Sequence, residues 1–319
     1  MLTSGIKFSN FKNSKNNKKI KKHFDEIIKS KNKIIESLSQ NYLYSFNKKQ
    51  LRKYKKFSNF RLIGMGGSIL GTQTIYEFLK HKIRKNFIFE DNIQNKKNIS
   101  KKKFTNIIVS KSGNTIETIV NSNILIKKNE KNIFITENKK NYLFFLAEKL
   151  KAEIIHHNNF IGGRYSVLSE VGMLPAELMD LNTNNFKQLN ELIKNKKFRN
   201  SLIANVSATL YFIKKNALNS IIINYDEKSE SLFKWYQQLI AESLGKKNKG
   251  LLPIISTMPK DNHSVMQLYL DGLKKSFFTF FYVHDDKSNK IINNQILSSQ
   301  NFLKNKNLSN IIYAQKKAT

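Results

Sequence analysis

Two kinds of apolar pattern alternate along the chain. Short consecutive runs at RLIGMG (61–66), NFIFED (86–91), TNIIVS (105–110), NIFITE (132–137) and AEIIHH (152–157) read as strands. Between them apolar residues recur at helical spacing, as in IYEFLKH (75–81) and ETIVNSNILIKK (117–128). Strand and helix in steady alternation predict a mainly parallel sheet covered by helices. The rhythm pauses at GGRYSVLSEVGMLPAELMD (162–180), which reads as a loop leading into a helix, and then resumes. In the second series 198–216 is helical, 220–226 a strand, 231–245 a helix closed by Gly245, and 251–257 and 276–285 are strands, with a helix predicted over 263–272 between them. Upstream, Ile20, Phe24, Ile27, Ile28, Ile34, Ile35 and Leu38 space out a polar, basic helical arm over 16–56. The expected fold class is α/β, with an arm over 1–56, a first domain over 57–185 and a second over 186–319. No short-period repeat interrupts it.

Composition narrows the picture. A chain of 319 residues with 40% hydrophobic content can build two medium domains. The absence of cysteine excludes disulfides and thiolate metal sites, and it suits a reducing compartment; the expected location is cytoplasmic. No apolar run reaches the roughly 18 residues of a membrane span, and the basic N-terminal stretch lacks the apolar centre of a secretory signal. No membrane association is therefore expected. The net charge of +33, from 56 Lys+Arg against 23 Asp+Glu, raises nucleic acid as a partner. The basic runs, such as Lys15–His23 and Lys101–Lys103, are scattered between elements and lack the interleaved aromatics of a base-stacking surface. A dispersed, solvated basic surface that also attracts anionic metabolites is the reading taken, with no specific nucleic-acid partner.

Five segments carry candidate chemistry. GMGGSILG (64–71) places Gly66, Gly67 and Ser68 between a strand and a helix, where backbone can approach an anion; the plainer reading is a glycine-rich turn without a ligand. Its spacing is not a dinucleotide fingerprint. SKSGNTIET (110–118) crowds Ser110, Ser112, Thr115 and Thr118 around Gly113 at a predicted helix N-terminus. Free N–H groups, the helix dipole and neutral hydroxyl donors suit a phosphate monoester without a metal, whereas a simple cap needs only one hydroxyl. IGGRYSVLSEVG sets Arg164 after two glycines, as a surface arginine or as a cation for a developing oxyanion. QLIAESLGK puts Gln238 and Glu242 on one helical face, either as exposed polar residues or with Glu242 as a general base in a partly apolar pocket. DNHSVMQLYLDG opens on His263, a residue type that alone is more often structural than catalytic.

In this order, GMGGSILG, SKSGNTIET, GGRYSVLSEVGMLP, QLIAESLGK and NHSVMQLYLDG resemble the phosphoglucose isomerase family, over about residues 60–285. The resemblance implies two sugar-isomerase (SIS) three-layer α/β/α domains and a metal-free, cofactor-free interconversion of glucose 6-phosphate and fructose 6-phosphate through a cis-enediol. It implies that Ser110, Ser112 and Thr115 grip the phosphate, with Lys111, Gly113 and Asn114 in the same loop, and that Gly67, Ser68 and Gln238 contact substrate. Glu242 would transfer the proton, Arg164 would stabilise the enediolate, and His263 would assist ring opening from across a homodimer interface. The family's C-terminal segment with a further catalytic lysine has no counterpart here, so the second domain is expected to be incomplete. QILSSQNFL (295–303) resembles the helix that precedes it. Two alternatives stay open: an isomerase that also accepts mannose 6-phosphate, and a non-catalytic phosphosugar-binding protein.

Overall fold

The computed structural model describes residues 5–7, 17–30, 32–93, 102–292 and 297–319. Lys15 and Lys101 of the two basic runs, and the first residues of QILSSQNFL, lie outside them. The elements in chain order are α1 (Asn17–Lys29), α2 (Lys33–Glu36), α3 (Lys48–Lys55), β1 (Asn59–Gly64), α4 (Leu70–Leu79), β2 (Asn86–Glu90), β3 (Thr105–Val109), α5 (Ile116–Leu125), β4 (Lys131–Thr136), α6 (Tyr142–Lys149), β5 (Glu153–His156), α7 (Glu170–Leu178), α8 (Leu189–Lys194) and α9 (Lys196–Lys214). They continue with β6 (Asn219–Asn224), α10 (Glu230–Leu244), β7 (Leu252–Thr257), β8 (Ser276–Phe281) and α11 (Leu308–Ala318). The chain divides into two compact units between Tyr211 and Phe212, within α9.

The first unit holds a five-stranded parallel sheet in the order β2-β1-β3-β4-β5. Its central strands are buried on both faces, which is why they read as continuous apolar runs. Every residue of TNIIV in β3 is buried. On one face Ile63, Ile108 and Phe134 stand in register and pack with Leu125 of α5 and Leu143 and Ala147 of α6. Arg61 interrupts the apolar run of β1 and is nonetheless buried: it donates to the Leu125 carbonyl at 2.7 Å, lies over the Phe104 ring and sits 3.8 Å from Glu130. Buried charge is tolerated only when so partnered. α7 is buried along its whole length and packs on α3 and α4. The expected N-terminal arm resolves into α1, α2 and α3, with the segment 37–47 between the last two.

The second unit holds a three-stranded parallel sheet in the order β7-β6-β8. Ile221, Ile223, Tyr225, Met258 and Tyr269 form its core, and Phe212 stacks on Phe277. The helix predicted over 263–272 differs. A 3₁₀ turn at Lys260–His263 is followed by helix from Met266 that widens to a π-helix over Leu268–Gly272, so only the second part of the stretch is helical. Tyr269 is drawn onto the sheet by its hydroxyl contact with Ser256 at 2.6 Å, leaving Leu268 and Leu270 exposed, so no single helical face serves the stretch. The strand predicted to reach 285 ends at Phe281, because Tyr282 turns to bond Ser309 at the start of α11. Ser298–Leu303 is a kinked 3₁₀ stretch. Among the described residues no helix is long and apolar enough to cross a membrane.

Candidate active site

The strand order of the first unit creates a reversal at its centre. From β1 the chain passes outward to β2, then returns to the other side of β1 and proceeds β3-β4-β5. The segments leaving the C-terminal ends of β1 and β3 diverge there, and open parallel sheets bind ligands in that crevice. Two of the five motif segments emerge at this point: GMGGS follows β1 and SKSGNT follows β3. Gly64 and Val109, the last residues of the two strands, are register partners.

The arginine-bearing segment is locked onto the first of these turns. Gly67 lies against the backbone of Gly163 and Arg164 so closely that a Cβ on it would fall 2.2 Å from the Gly163 carbonyl carbon. Ser166 donates to the Gly163 carbonyl at 2.6 Å and to the Gly67 carbonyl at 3.3 Å. Gly67, Ser68 and Arg164 are thus brought together, with the Arg164 guanidinium over the Tyr165 ring.

The loop after β3 is built largely from its own hydroxyls. Ser110 is buried; its Oγ accepts from the Gly113 N–H and meets Thr115 Oγ1 at 2.9 Å. Thr115 stands at the N-cap of α5 but makes no capping bond, so the first N–H groups of that helix carry no side-chain cap. Ser112 accepts from Asn114 N–H, and this bond lies on the exposed side of the loop. Gly113 adopts φ +67°, and a Cβ there would collide with the Asn141 side chain. Lys111 donates to the Asn159 carbonyl at 2.8 Å and lies 3.6 Å from Glu137. Burial would raise the Glu137 carboxyl, but Lys139 and Lys111 outweigh it and hold the group below its ordinary range. One end of the sheet therefore presents uncapped helix N–H groups and small hydroxyls, with the Lys111 ammonium turned to Asn159 and Glu137 beside them, a set suited to a dianionic phosphate.

Gln238, Glu242 and His263 belong to the second unit. Gln238 donates to Glu242 Oε2 at 3.2 Å along α10, and its own Oε1 is buried without a hydrogen-bond partner among the described residues. Glu242 is exposed near the end of that helix. The neighbouring Gln237 donates to the Pro253 carbonyl, which ties this part of α10 to the beginning of β7. His263 is exposed beyond the other end of β7, where Asp261 accepts from Thr257 N–H. Gln238 and Glu242 are side by side; His263 lies at the opposite edge of the same sheet.

Several residues that hold the site carry little sequence signal. Asn141 caps α6 and supports Gly113, a position that the polar residue before YLFFLAEK could have suggested. Buried Glu170 and Lys187 form a polar cluster with half-buried Tyr42 and Tyr44 behind the Arg164 turn, and no spacing announces it.

The model of the phosphoglucose isomerase family matches residues 12–252. A glucose-6-phosphate isomerase of Methanocaldococcus jannaschii is 32% identical over 300 residues, covering 87% of this chain and 72% of that protein. One from Mycoplasmopsis pulmonis is 28% identical, covering 97% and 83%. Among solved structures, a hypothetical protein of Thermus thermophilus superposes with a TM-score of 0.77 at 21% identity, over 95% of this chain and 79% of that one. A glucose-6-phosphate isomerase of Chlamydia trachomatis shares the fold at a TM-score of 0.62 and 20% identity, over 85% of this chain and 58% of that one.

Proposed function

The chain belongs to the phosphoglucose isomerase family, and from that premise we propose that it interconverts glucose 6-phosphate and fructose 6-phosphate through a cis-enediol. The observation that carries this reading is the convergence of the 110–115 loop, Ser68 and Arg164 at the reversal point of the first sheet. There the phosphate meets Lys111, the uncapped N–H groups of α5 and the hydroxyls of Ser68, Ser112 and Thr115, with Gly113 and Asn114 shaping the loop. Arg164 stabilises the negative charge that develops on the enediolate oxygens. Glu242 takes the C2 proton of the open-chain aldose as C1–C2 acquires double-bond character and O1 is protonated. It returns the proton to C1 as the O2 hydroxyl gives up its own proton and becomes the carbonyl, so that one proton passes net from O2 to O1, and Gln238 holds the Glu242 carboxylate in place.

His263 assists ring opening. In one chain it stands at the far edge of β7 from Glu242, and this separation supports a homodimer in which each centre draws the two residues from two chains. The enzyme works in the cytoplasm on a small sugar phosphate. The test follows the proton. In deuterated water the wild-type chain should place solvent deuterium at C2 of glucose 6-phosphate and C1 of fructose 6-phosphate. Glu242→Gln should slow this by about 10²–10⁴-fold while substrate binding by calorimetry survives. Exchange at the wild-type rate in Glu242→Gln would assign the proton to another residue. Exchange into mannose 6-phosphate in the same assay would widen the substrate class.

A further inference from the structure

Lys187 is 4% exposed, although lysine is rarely buried without a full set of partners. Its ammonium donates to the backbone carbonyls of Ser37 and Leu168. It lies over the faces of Tyr42 and Tyr44, 4.3 and 4.8 Å from their ring centroids. The cage is stiffened by an edge contact between Tyr42 and Tyr44 and by stacking of Tyr44 on Phe46. Glu170, 1% exposed, accepts from the Tyr42 hydroxyl at 2.8 Å and the Ser45 N–H at 3.1 Å. It supplies the opposite charge.

Leu168 ends the 3₁₀ turn Gly163–Leu168 that carries Arg164. From the Leu168 carbonyl a buried polar ladder runs back to the arginine. Ser169 donates to the Ser166 carbonyl at 2.7 Å, and Ser166 donates to Gly163 and Gly67. Burying an ammonium is costly unless it is fully compensated, and replacing it by an apolar residue of similar size often stabilises a fold. What the ammonium holds here is fixed by its two carbonyl partners. The group it holds is the far end of the Arg164 turn, while the near end is clamped by Gly67.

We propose that Lys187 is a positioning residue for the isomerisation: by anchoring the Leu168 carbonyl inside the aromatic cage, it fixes the turn that aims Arg164 at the enediolate. The proposal rests on the reading of Arg164 as the enediolate-stabilising cation, and the experiment separates the two. Lys187→Met keeps the length and fills the cage but removes the donors. In folded protein it should lower kcat roughly 10- to 100-fold, the scale of a small misplacement at a reacting centre, with KM for fructose 6-phosphate within about twofold of wild type. Binding of a phosphorylated hydroxamate that mimics the enediolate should weaken in parallel, which gives a readout independent of turnover. In an Arg164→Lys background the same substitution should cost little more, because the group it positions is already gone.

A folded Lys187→Met with wild-type kcat and hydroxamate affinity would overturn the proposal, as would an equal loss in both backgrounds. Arg164→Lys with unchanged kcat and hydroxamate affinity would overturn the reading of Arg164, and the anchor with it. If Lys187→Met does not fold, Lys187→Gln is read by the same cycle. Its shorter amide reaches at most one carbonyl, so a kcat loss that vanishes with Arg164→Lys supports the anchor and a wild-type kcat overturns it.

Discussion

Lys187 illustrates how one side chain carries opposing terms. Burial lowers its ammonium from the ordinary 10.5 to about 8, with Glu170 opposing the shift. The groups facing it are Glu170, Tyr42 and Tyr44, and burial pushes both tyrosines above their ordinary range, with nearby carboxylates adding to the shift, so they keep their protons while Lys187 titrates. Between pH 8 and 10.5 the unfolded chain still holds the lysine proton while the folded chain has released it. The unfolded state then binds more protons, so this residue makes stability rise with pH across that window. Urea midpoints measured from about pH 7.5 to about pH 9.5 should therefore climb in wild type relative to Lys187→Met. A constant difference between the two would show that the ammonium is not desolvated in the folded state.

At the level of elements, the first sheet depends on polar bonds at the end remote from the candidate site. Glu130, just before β4, accepts from Phe104 N–H at 3.1 Å, from Asn106 Nδ2 at 2.9 Å and from Lys127 N–H at 3.2 Å, and it faces Arg61 of β1 across β3. Asn106 also bonds Asn132 and Arg61, so β1, β3 and β4 are joined below their apolar centre. Removing the carboxylate takes the acceptor from three donors and the counter-charge from a buried guanidinium, which keeps its bond to the Leu125 carbonyl. Glu130→Ala should destabilise the protein by about 3–5 kcal/mol, the cost of breaking a buried pair from one side. Denaturant unfolding measures it, and a loss below about 1 kcal/mol would mean that water enters and replaces the carboxylate. Because the network lies at the opposite end of the strands from the 110–115 loop, the folded fraction should bind fructose 6-phosphate as wild type does.

For the whole molecule the decisive distance lies within the second unit. α10 is 15 residues long, roughly 22 Å, and runs from the C-terminal edge of β6 back to the start of β7. Glu242 near its end and His263 past the end of β7 are therefore separated by the length of a strand, about 20 Å for six residues. In the homodimer proposed for this enzyme, each centre takes its histidine from the other chain. Glu242→Gln and His263→Ala should each be impaired alone, yet regain activity when unfolded together and refolded as a mixture. Random pairing makes half the dimers mixed, each with one intact centre, so recovery should approach about a quarter of wild type. Failure to exceed the sum of the separate variants would place both residues in one chain's centre or remove His263 from the reaction.

What the sequence determines by itself is local. The strands β1, β3 and β4 announce themselves because a doubly covered parallel strand must be apolar on both faces, and α10 ends where Gly245 says it should. The candidate loops are legible for the same reason: a glycine at φ +67° and hydroxyls at a helix start are requirements of the chain within a few residues. Resemblance then assigns roles to Glu242, Arg164 and His263 that no local rule supplies. Tertiary structure decides everything that depends on which distant segments meet. Strand order is one case, since the reversal beside β1 arises from crossovers that no periodicity encodes. The helix over 263–272 is another: it forms only from Met266 and widens to a π-helix over Leu268–Gly272, where the Tyr269 hydroxyl meets Ser256 of the sheet. The Lys187 cage is the clearest: its lysine and the Ser37 carbonyl are 150 residues apart, and Tyr42 and Glu170 are 128 apart. Hydrogen bonds and burial act through space, so a charge looks like surface in the sequence until the fold closes over it.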